Sequence, residues 1–556
     1  FSVTGQPNAM GGREVGGLAN MLANHLSLED AAHRDLVQDF WGAPGMAAAP
    51  GLKAVDLFDA CASGQIKALW IMCTNPAVSL PRADHVADAI RTVPFVAVSD
   101  MMAETDTTVL ADVLLPATGW GEKDGTVTNS ERRISRQRRV LPAPGQARDD
   151  WRIVCDVAQA MGFDGFGFAR PGEVFDEYAR LSAKAVTLGV DLDLSGLTGL
   201  SAAAYDALAP VQWPVGPART GGRFFAAGGF YTPDQKARML PIQWQASVNQ
   251  TSAARPYLLN SGRVRDHWHT MTRTAKSETL SQHIAEPYVE IHPRDAASEG
   301  IGDADLVTVE SAHGRLVARA RLSDRGAPGQ VFVPMHWTGQ WAAKGRVNAA
   351  VAPVADPVSG QPELKRTAVS LRPLAPAWYG FAITRAEPAP WCTYWAKARV
   401  PGGWRVELAG MAPEPDWSAF ARDALGLTGE VVSAVDAARG TARLVFSGGA
   451  GLEGALFVAP EPVVAARNFL AAALAAETPP GGLIAGVPSA GQPDPGPTVC
   501  ACFNVGLNTL RDAILEGRAL SVEALGEVLL AGTNCGSCKP ELQAILNATT
   551  VPLAAE

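Results

Sequence analysis

The chain has 556 residues, too many for a single hydrophobic core, and at about 150 residues per domain it predicts roughly three to five domains. Its formal net charge is -9, from 47 Lys and Arg against 56 Asp and Glu, which excludes a chain-wide positive field that would hold nucleic acid. No apolar run reaches the roughly 18 residues that cross a bilayer, so we expect neither nucleic acid nor a membrane as a partner.

The start of the chain carries no targeting signal. Phe1 stands where an initiator Met would be expected, and residues 1–4 have the composition of a strand already under way. We therefore expect a fragment of a longer protein that continues upstream of Phe1.

A glycine-rich segment, residues 5–17 (GQPNAMGGREVGG), precedes a predicted helix over residues 18–25. Glycines ahead of a helix let the backbone approach a ligand, and a helix N-terminus with Arg13 beside it favours an anion. Such a turn is common, so it does not identify a ligand by itself.

Residues 64–160 alternate apolar runs with a helical pattern. Residues 66–73 and 95–98 are predicted as buried strands, with a helix over residues 82–91 between them. This order predicts a parallel sheet that binds ligands beyond the carboxyl ends of its strands, where Asn75, Ser99 and Asp100 stand.

Short β-rich runs dominate from about residue 255 to residue 375 and are separated by Gly, Pro and Asp, which predicts a barrel. The fold class is therefore α/β plus β-barrel, in several domains. We divide the chain into an α/β domain (1–160), a connecting region (161–250), the barrel (251–375), a mixed α/β domain of unknown role (376–480), a Pro/Gly-rich linker (481–497) and a small helical domain (498–550).

Four of the eight cysteines form two close pairs in this last domain, Cys500 with Cys502 and Cys535 with Cys538. Their spacing fits [2Fe–2S] and zinc about equally, and disulfides are a third possibility. Apolar residues between the pairs have helical spacing and predict a small core that needs a metal: Leu510, Ile514, Leu520, Leu525 and Leu529. The remaining cysteines have apolar neighbours and are predicted to be small buried hydrophobes: Cys61, Cys73, Cys155 and Cys392.

Residues 499–514 (VCACFNVGLNTLRDAI) and 531–542 (AGTNCGSCKPEL) resemble the bacterioferritin-associated-ferredoxin (BFD) type of [2Fe–2S] domain. That resemblance implies that Cys500, Cys502, Cys535 and Cys538 ligate a [2Fe–2S] cluster.

The glycine-rich segment, and the order of segments to about residue 370, resemble the molybdopterin-dependent nitrate reductases of the molybdopterin oxidoreductase family. The resemblance implies α/β domains and a C-terminal barrel around two molybdopterin guanine dinucleotides on one molybdenum. Arg13 matches an arginine near the metal and is our candidate for orienting nitrate, a planar anion that suits a guanidinium fork.

The stretches 122–133 (EKDGTVTNSERR) and 260–270 (NSGRVRDHWHT) resemble cofactor-binding stretches of the same family. His267 and His269 lack a second ligand pair for zinc, and we expect packing or pterin contacts instead. The aromatic contact ahead of Asn348 is assigned to Trp337 rather than His336. The cofactor contacts implied by the resemblance are Gln6, Asn75, Ser99, Asp100, Lys123, Asp150, Ser261, Gly262, Arg263, His267, Trp268, His269, Trp337, Asn348 and Lys365. Most arginines in residues 132–139 are expected to form a solvated basic face.

For the parent protein the resemblance implies a cytoplasmic, assimilatory enzyme that reduces nitrate to nitrite by two electrons. The family's [4Fe–4S] cysteines and its molybdenum-ligating cysteine are expected upstream of Phe1, so the fragment alone is expected to be inactive. No G-x-G-x-x-G fingerprint follows a strand, so we expect a separate donor, either an NADH-using flavoprotein reductase or a ferredoxin or flavodoxin. The alternatives are a formate dehydrogenase or another molybdopterin oxidoreductase and, in a different class, a noncatalytic iron–sulfur carrier or a zinc-binding scaffold.

Overall fold

The structure is a computed structural model that describes residues 8–449 and 451–550. In this part of the chain no helix is long and apolar enough to span a membrane. The helices are α1 (Ala9–Glu14), α2 (Ala31–Trp41), α3 (Ala54–Ala62), α4 (Pro76–Ser79), α5 (Ala83–Thr92), α6 (Asp150–Ala160), α7 (Pro171–Ala185), α8 (Ala202–Asp206), α9 (Pro293–Glu299), α10 (Trp417–Leu425), α11 (Arg467–Ala475), α12 (Leu507–Leu515), α13 (Val522–Leu529) and α14 (Lys539–Thr550).

The strands form separate sheets and one closed barrel. In chain order they are β1 (Leu69–Met72), β2 (Val96–Asp100), β3 (Val113–Pro116), β4 (Gly125–Thr128), β5 (Arg133–Gln137), β6 (Val211–Gln212), β7 (Tyr257–Gly262), β8 (Tyr288–Ile291), β9 (Leu306–Glu310), β10 (Arg315–Leu322), β11 (Gln330–Pro334), β12 (Thr367–Leu374), β13 (Trp378–Thr384), β14 (Tyr394–Val400), β15 (Gly403–Gly410), β16 (Glu430–Asp436), β17 (Thr441–Gly448), β18 (Gly451–Ala459), β19 (Thr498–Cys500) and β20 (Val505–Gly506).

The chain divides into two compact units. Residues up to Thr74, 89–104 and 110–246 belong to the first unit, and residues 75–88, 105–109 and Ser247 onward belong to the second. Two short segments of the predicted 1–160 domain therefore group with the second unit.

The first unit contains the predicted parallel sheet, in the order β1-β2-β3. Leu69 pairs with Val96, and Ala97 pairs with Val113. The strands predicted at residues 66–73 and 95–98 and the helix predicted at residues 82–91 are confirmed as β1, β2 and α5. A second, antiparallel sheet in this unit has the order β4-β5-β6.

The helix predicted at residues 18–25 is wrong, because only a single 3-10 turn, Ala23–His25, forms there. Asn24 and His25 have φ values of 60° and 58°, which an α-helix does not permit. The described part of the glycine-rich segment itself forms α1, and Arg13 lies in the last turn of that helix rather than at an N-terminus.

The predicted connecting region is more ordered than its composition indicates. Helix α7 packs Phe175 and Ala179 against Ile134 of β5 and Trp213 in one hydrophobic cluster. Residues 171–215 therefore contribute to the core of the first unit rather than only linking domains.

The predicted barrel is confirmed in the second unit as a closed barrel of β7 to β12, in the order β10-β8-β11-β7-β12-β9. Strand pairs β10/β8 and β11/β7 are parallel, and the others are antiparallel. Alternate residues of these strands point inward, and Leu259, Val289, Val309 and Val333 fill the interior.

Residues 378–459 form a six-stranded antiparallel sheet in the order β14-β15-β13-β18-β17-β16. Helix α10 packs Phe420 onto one hydrophobic cluster of this sheet, and α11 packs Leu470 onto another. Because helices cover the sheet in this way, every residue of the central strand β13 is buried.

The C-terminal domain consists of the β19–β20 hairpin followed by α12, α13 and α14. Leu510, Ile514 and Leu525 are buried in its core, as their spacing predicted. Leu520 is 64% exposed, because it lies in the loop between α12 and α13, so its assignment to the core is wrong.

Candidate cofactor sites

In the first unit, four polar side chains gather at the carboxyl end of the parallel sheet. Lys123 Nζ lies 2.5 Å from Asp150 Oδ2, and the Cys73 thiol donates to Asp150 Oδ1 at 3.7 Å. Asp100 ends β2 and accepts a hydrogen bond from the Met102 N–H at 2.8 Å. The structure thus brings together Asp100, Lys123 and Asp150, three residues predicted from the resemblance.

Cys73 is the member of this group that the sequence did not predict. It is exposed rather than buried, so the prediction of a small buried hydrophobe is wrong for it, whereas Cys61, Cys155 and Cys392 are buried as predicted. Although the residue is exposed, neighbouring atoms shield its sulfur from part of the solvent, and this desolvation and then the negative charge of Asp150 raise the pKa of the Cys73 thiol to about 11. The thiol is therefore protonated at neutral pH and can donate a hydrogen bond. Cys73 directly follows β1 and has a positive φ of 57°, which is uncommon for a residue other than glycine. Its apolar neighbours in the sequence did not indicate this backbone conformation.

The remaining predicted residues of the first unit are more scattered. The Ser99 hydroxyl is fully buried and accepts a hydrogen bond from Trp70 Nε1 at 2.8 Å, which ties β1 to β2. Arg13 is exposed, and its charge, after the larger effect of burial, lowers the pKa of His25. Gln6 lies outside the described residues.

The solvated basic face expected for most arginines of residues 132–139 is confirmed for Arg133, Arg138 and Arg139, which are exposed, and is wrong for Arg132 and Arg136. The Arg136 side chain is 2% exposed and pairs with Asp124 at 2.9 Å, and Arg139 pairs with Asp149 at 2.9 Å. Arg132 lies over the ring of Phe224, 4.1 Å from its centroid. Arg132 and Arg136 therefore pack within the first unit, which a count of charges along the sequence did not predict.

In the second unit, two buried side-chain amides each have one atom without a hydrogen-bond partner among the described residues. Asn75 Oδ1 accepts from Thr107 Oγ1 at 2.6 Å, but Asn75 Nδ2 has no partner. Asn348 Nδ2 donates to Ser79 O at 2.7 Å, but Asn348 Oδ1 has no partner. Buried polar atoms without partners are costly, so a polar ligand such as a nucleotide fits both positions.

The barrel stretch 260–270 is fixed to the segment that precedes β12. The Ser261 hydroxyl donates to Leu364 O at 2.6 Å, and Lys365 Nζ donates to Ser261 O. Gly262 ends β7, where an added Cβ would lie 2.6 Å from the Phe332 ring, so a larger residue would require that ring to move. Arg263 is exposed and its guanidinium lies 4.8 Å from the centroid of the Trp268 ring.

His336, which was not predicted as a cofactor contact, forms two hydrogen bonds with the stretch 260–270. His336 is fully buried, accepts from the Val264 N–H through Nε2 at 2.9 Å, and shares a 2.7 Å hydrogen bond with His269 O through Nδ1. Burial, the largest cause, lowers the pKa of His336 to about 4, so the ring is neutral. His336 therefore holds the stretch 260–270 by two hydrogen bonds, one accepted through Nε2 and one donated through Nδ1.

The neighbouring aromatic residues divide between core and surface. His267 is buried, and its two ring nitrogens lie 3.2 Å from Thr274 Oγ1 and from Ile284 O, which leaves neither open to a metal. Trp268 is 39% exposed, whereas Trp337 is 1% exposed and packs in the hydrophobic core. The choice of Trp337 over His336 as the aromatic contact stays a prediction.

In the C-terminal domain the four predicted thiols form two close pairs. Cys502 Sγ lies 3.4 Å from Cys535 Sγ, and the thiols of Cys500 and Cys538 share a hydrogen bond. Within the described ranges, no group of three or more His, Cys, Asp or Glu side chains converges as the ligands of one metal ion. Two pairs match the ligands that a [2Fe–2S] cluster requires, two thiolates on each of two irons.

The protein environment shifts the pKa values of two of these thiols, one from each pair, in opposite directions. A hydrogen bond from Ser537, the largest cause, lowers the pKa of the exposed Cys535 thiol. Burial, followed by Cys500, raises the pKa of the Cys538 thiol to about 12. Gly536, with a φ of 71°, lets the backbone turn tightly between these two ligands, which a residue with a Cβ would do only with strain.

Comparisons with known families agree with this division of sites. Residues 7–160 match the Molybdopterin oxidoreductase family, residues 257–368 the Molydopterin dinucleotide binding domain, and residues 498–548 the BFD-like [2Fe-2S] binding domain. The paired thiols lie within the third of these matches, and the stretch 260–270 lies within the second.

The relatives of this chain include proteins named for more than one activity. The chain is 44% identical to a protein named "Nitrate reductase" from Klebsiella oxytoca, over 99% of this chain and 63% of that protein. It is 34% identical to the "Assimilatory nitrate reductase catalytic subunit" of Bacillus subtilis, over 67% of this chain and 51% of the relative. It is 31% identical to the "F420-dependent formate dehydrogenase subunit alpha" of Methanocaldococcus jannaschii, over 66% of this chain and 51% of the relative. The chain thus spans between half and two thirds of the length of these relatives.

Proposed function

The chain belongs to the molybdopterin oxidoreductase family, with a dinucleotide-binding barrel and a BFD-like [2Fe–2S] domain, and from that premise we propose that its parent protein is an assimilatory nitrate reductase. The observation that carries this proposal is the similarity to a protein named nitrate reductase over 99% of this chain. The aligned part of this chain includes its C-terminal thiol pairs. The match to the formate dehydrogenase covers 66% of the chain at lower identity.

The proposed reaction consumes nitrate, two electrons and two protons, and it yields nitrite and water. When bound, the molybdenum cofactor supplies the two-electron chemistry, and the protein supplies orientation and charge. Because a [2Fe–2S] cluster carries one electron at a time, it must deliver two electrons in succession for each nitrate.

We propose distinct roles for the residues of the two units. Lys123 supplies positive charge to a phosphate, and Asp150 accepts N–H donors from a guanine edge. Asn75 and Asn348 use their unpartnered amide atoms for a second set of polar contacts. Arg13, exposed in the last turn of α1, orients nitrate by paired hydrogen bonds from its guanidinium.

Further parts of the enzyme belong to the same proposal. From the family resemblance we expect a [4Fe–4S] cluster and a molybdenum-ligating cysteine in the full-length protein. No cysteine of residues 1–375 has a matching sequence context, so we expect both outside this stretch. For that reason residues 1–556 alone are expected to be inactive. We place the enzyme in the cytoplasm, with an NADH-using flavoprotein reductase, a ferredoxin or a flavodoxin as its electron donor.

The test uses the purified full-length protein with viologen dyes as the common electron mediator. We expect nitrate to reoxidise reduced methyl viologen with formation of nitrite, and formate to leave oxidised benzyl viologen unreduced. Formate-dependent dye reduction without nitrite formation would replace the proposal with a formate dehydrogenase. Bound zinc, with neither molybdenum nor iron, would replace it with a noncatalytic scaffold.

A further inference from the structure

One arginine of the barrel stretch 260–270 makes direct contact with the C-terminal domain. Arg265 Nη1 donates to Glu541 Oε2 of α14 at 2.8 Å, and Arg265 Nη2 donates to Val499 O of β19. Its Nε also donates to Asp266 Oδ2 at 3.0 Å. A single guanidinium therefore bonds to two separate elements of the C-terminal domain, which fixes orientation as well as proximity.

His283 lies close to both acidic side chains that contact Arg265. Its Nδ1 lies 2.8 Å from Asp266 Oδ2, and its Nε2 lies 3.4 Å from Glu541 Oε2. The side chains of Arg265, Asp266 and His283 are 18%, 9% and 15% exposed, and that of Glu541 is 35% exposed. Because these charges are largely removed from water, they attract one another more strongly than exposed pairs do.

Both partners of Arg265 lie beside cluster ligands. Val499 directly precedes Cys500, and the Glu541 N–H donates to Cys538 O at 3.0 Å. On the barrel side, Arg265 lies two residues from Arg263 and two from His267, both predicted cofactor contacts. The guanidinium thus joins the backbone that holds the thiols to the stretch that is predicted to hold the pterin.

The segment that leads into the C-terminal domain is also anchored. Leu483 is 7% exposed, and Arg443 of β17 donates to Ala485 O at 2.7 Å. Asn468 of α11 donates to Gly496 O at 2.6 Å. The Pro/Gly-rich composition of residues 481–497 predicted a linker. These contacts show that the described segment packs against the preceding sheet and helix α11.

We propose that Arg265 is a positioning residue that holds the C-terminal domain on the barrel stretch 260–270 through its contacts with Glu541 and Val499, so that a [2Fe–2S] cluster on the neighbouring thiols would have a fixed orientation toward the barrel. When bound, the cluster would supply electrons one at a time toward the molybdenum cofactor of the full-length enzyme, and Arg265 would only fix its position. An external reductase or ferredoxin then reduces the cluster again. This inference rests on the proposed function only for its direction of electron flow, whereas the docking itself does not depend on the substrate.

The test uses the full-length holoenzyme and begins with Glu541→Arg, which puts a positive charge against Arg265 and His283. The readout is the magnetic interaction between Mo(V) and the reduced cluster, measured by pulsed EPR, which reports their separation and requires no turnover. We expect Glu541→Arg to weaken this interaction and to slow electron transfer from cluster to molybdenum about tenfold or more. The double variant Arg265→Glu/Glu541→Arg should restore much of both.

The controls separate docking from damage to the cluster. Glu527→Arg places the same charge on an exposed position of α13 and should leave the interaction unchanged. Arg265→Gln alters only the barrel side, so it tests the contact even if Glu541→Arg assembles no cluster. An unchanged Mo(V)–cluster interaction in Arg265→Gln would overturn the proposal, as would an equal loss in Glu527→Arg. Absence of nitrate reduction with a normal interaction would instead overturn only the proposed function.

Discussion

Asn75 shows how a single side chain can serve the fold and a ligand at once. Its Oδ1 accepts the Thr107 hydroxyl, while its Nδ2 is buried without a partner among the described residues. The first contact stabilises the segment after β1, and the second atom is available to a bound nucleotide. These two roles can be separated by mutation.

Asn75→Ala should lower the molybdenum and guanine nucleotide content of the purified full-length protein. The lost ligand hydrogen bond is worth about 1 kcal/mol or somewhat more, equivalent to several-fold weaker retention. Thr107→Val is the matched control, because it removes the partner of Oδ1 but keeps Nδ2. Equal molybdenum loss in both variants, measured by mass spectrometry of the metal, would assign Asn75 to the fold alone.

His336 should make the barrel stretch sensitive to acid. Its folded-state pKa of about 4 is below the ordinary value of 6.5, so its neutral form is favoured by folding. The stabilisation is complete above pH 6.5 and is lost as the pH falls from 6.5 toward 4, by about 3 kcal/mol in total.

Histidine NMR is the direct check of this pH dependence. The resonance that disappears in His336→Gln should not titrate between pH 8 and pH 5.5, and the urea midpoint should fall less steeply with acid in His336→Gln than in the original protein. A His336 resonance that titrates near pH 6.5 would contradict the buried, neutral clamp.

Residue types and resemblance predicted some of these side chains and could not predict others. Lys123 and Asp150 were predicted as contacts, and the structure pairs them at 2.5 Å. Cys73 was assigned to the core because its neighbours are apolar, but it is exposed directly after β1. Arg265 and Glu541 could not be paired from the sequence, because nothing local in either segment encodes a contact between distant parts of the chain.

At the scale of elements, we expect the C-terminal domain to depend on a metal for its stability. Its three short helices enclose a small core, and a domain of about 50 residues rarely folds stably without a staple. A cluster bound by the thiol pairs would provide that staple, because the pairs lie between the β19–β20 hairpin and the start of α14.

Cys535→Ser should abolish the visible absorption and the EPR signal of the [2Fe–2S] cluster and lower the unfolding temperature of this domain. Serine keeps the shape of the side chain but removes the soft thiolate ligand. Cys155→Ala, which changes a buried cysteine of α6, should retain the full signal. An intact cluster spectrum in Cys535→Ser would exclude Cys535 as a ligand.

A buried charge cluster should stabilise the sheet of residues 378–459. Glu407 of β15 accepts from Arg467 at 2.6 Å and from Arg405 at 3.2 Å, and Arg319 of β10 lies 3.9 Å away. Burial alone would raise the pKa of Glu407, but Arg467 and then the other two arginines hold it at about 2.

Glu407→Ala should therefore destabilise the protein by about 3–5 kcal/mol, because three guanidinium groups would lose their shared carboxylate. Glu430→Ala, on the exposed edge strand β16, should change stability by less than about 0.5 kcal/mol. Scanning calorimetry measures both. Equal unfolding temperatures for the two variants would mean that the cluster does not stabilise this sheet.

Elements with a regular pattern were predictable, and elements set by tertiary burial were not. Strands β1 and β2 follow from apolar runs with sharp ends, and the barrel follows from repeated short strands and turns. The helix predicted at residues 18–25 fails because Asn24 and His25 adopt left-handed backbone angles. Residues 376–480 were expected only as mixed helix and strand, and β13 could not be identified because it is buried throughout and lacks the alternation of a half-buried strand.

At the scale of the whole molecule, we propose an ordered flow of electrons that enters at the C-terminal domain and ends on nitrate. The second unit contains both the dinucleotide-binding barrel and the [2Fe–2S] domain, and Arg265 joins the two. The first unit brings a separate set of polar residues to the end of its parallel sheet. Together with the rest of the full-length protein, these sites are proposed to deliver two electrons to one nitrate.

Stopped-flow absorption of the reduced full-length enzyme mixed with nitrate, without oxygen or external donor, tests this flow most directly. We predict that the visible band of the oxidised [2Fe–2S] cluster returns as nitrite forms, in the ratio of two electrons to one nitrite. A cluster that remains reduced in the presence of excess nitrate would contradict the account.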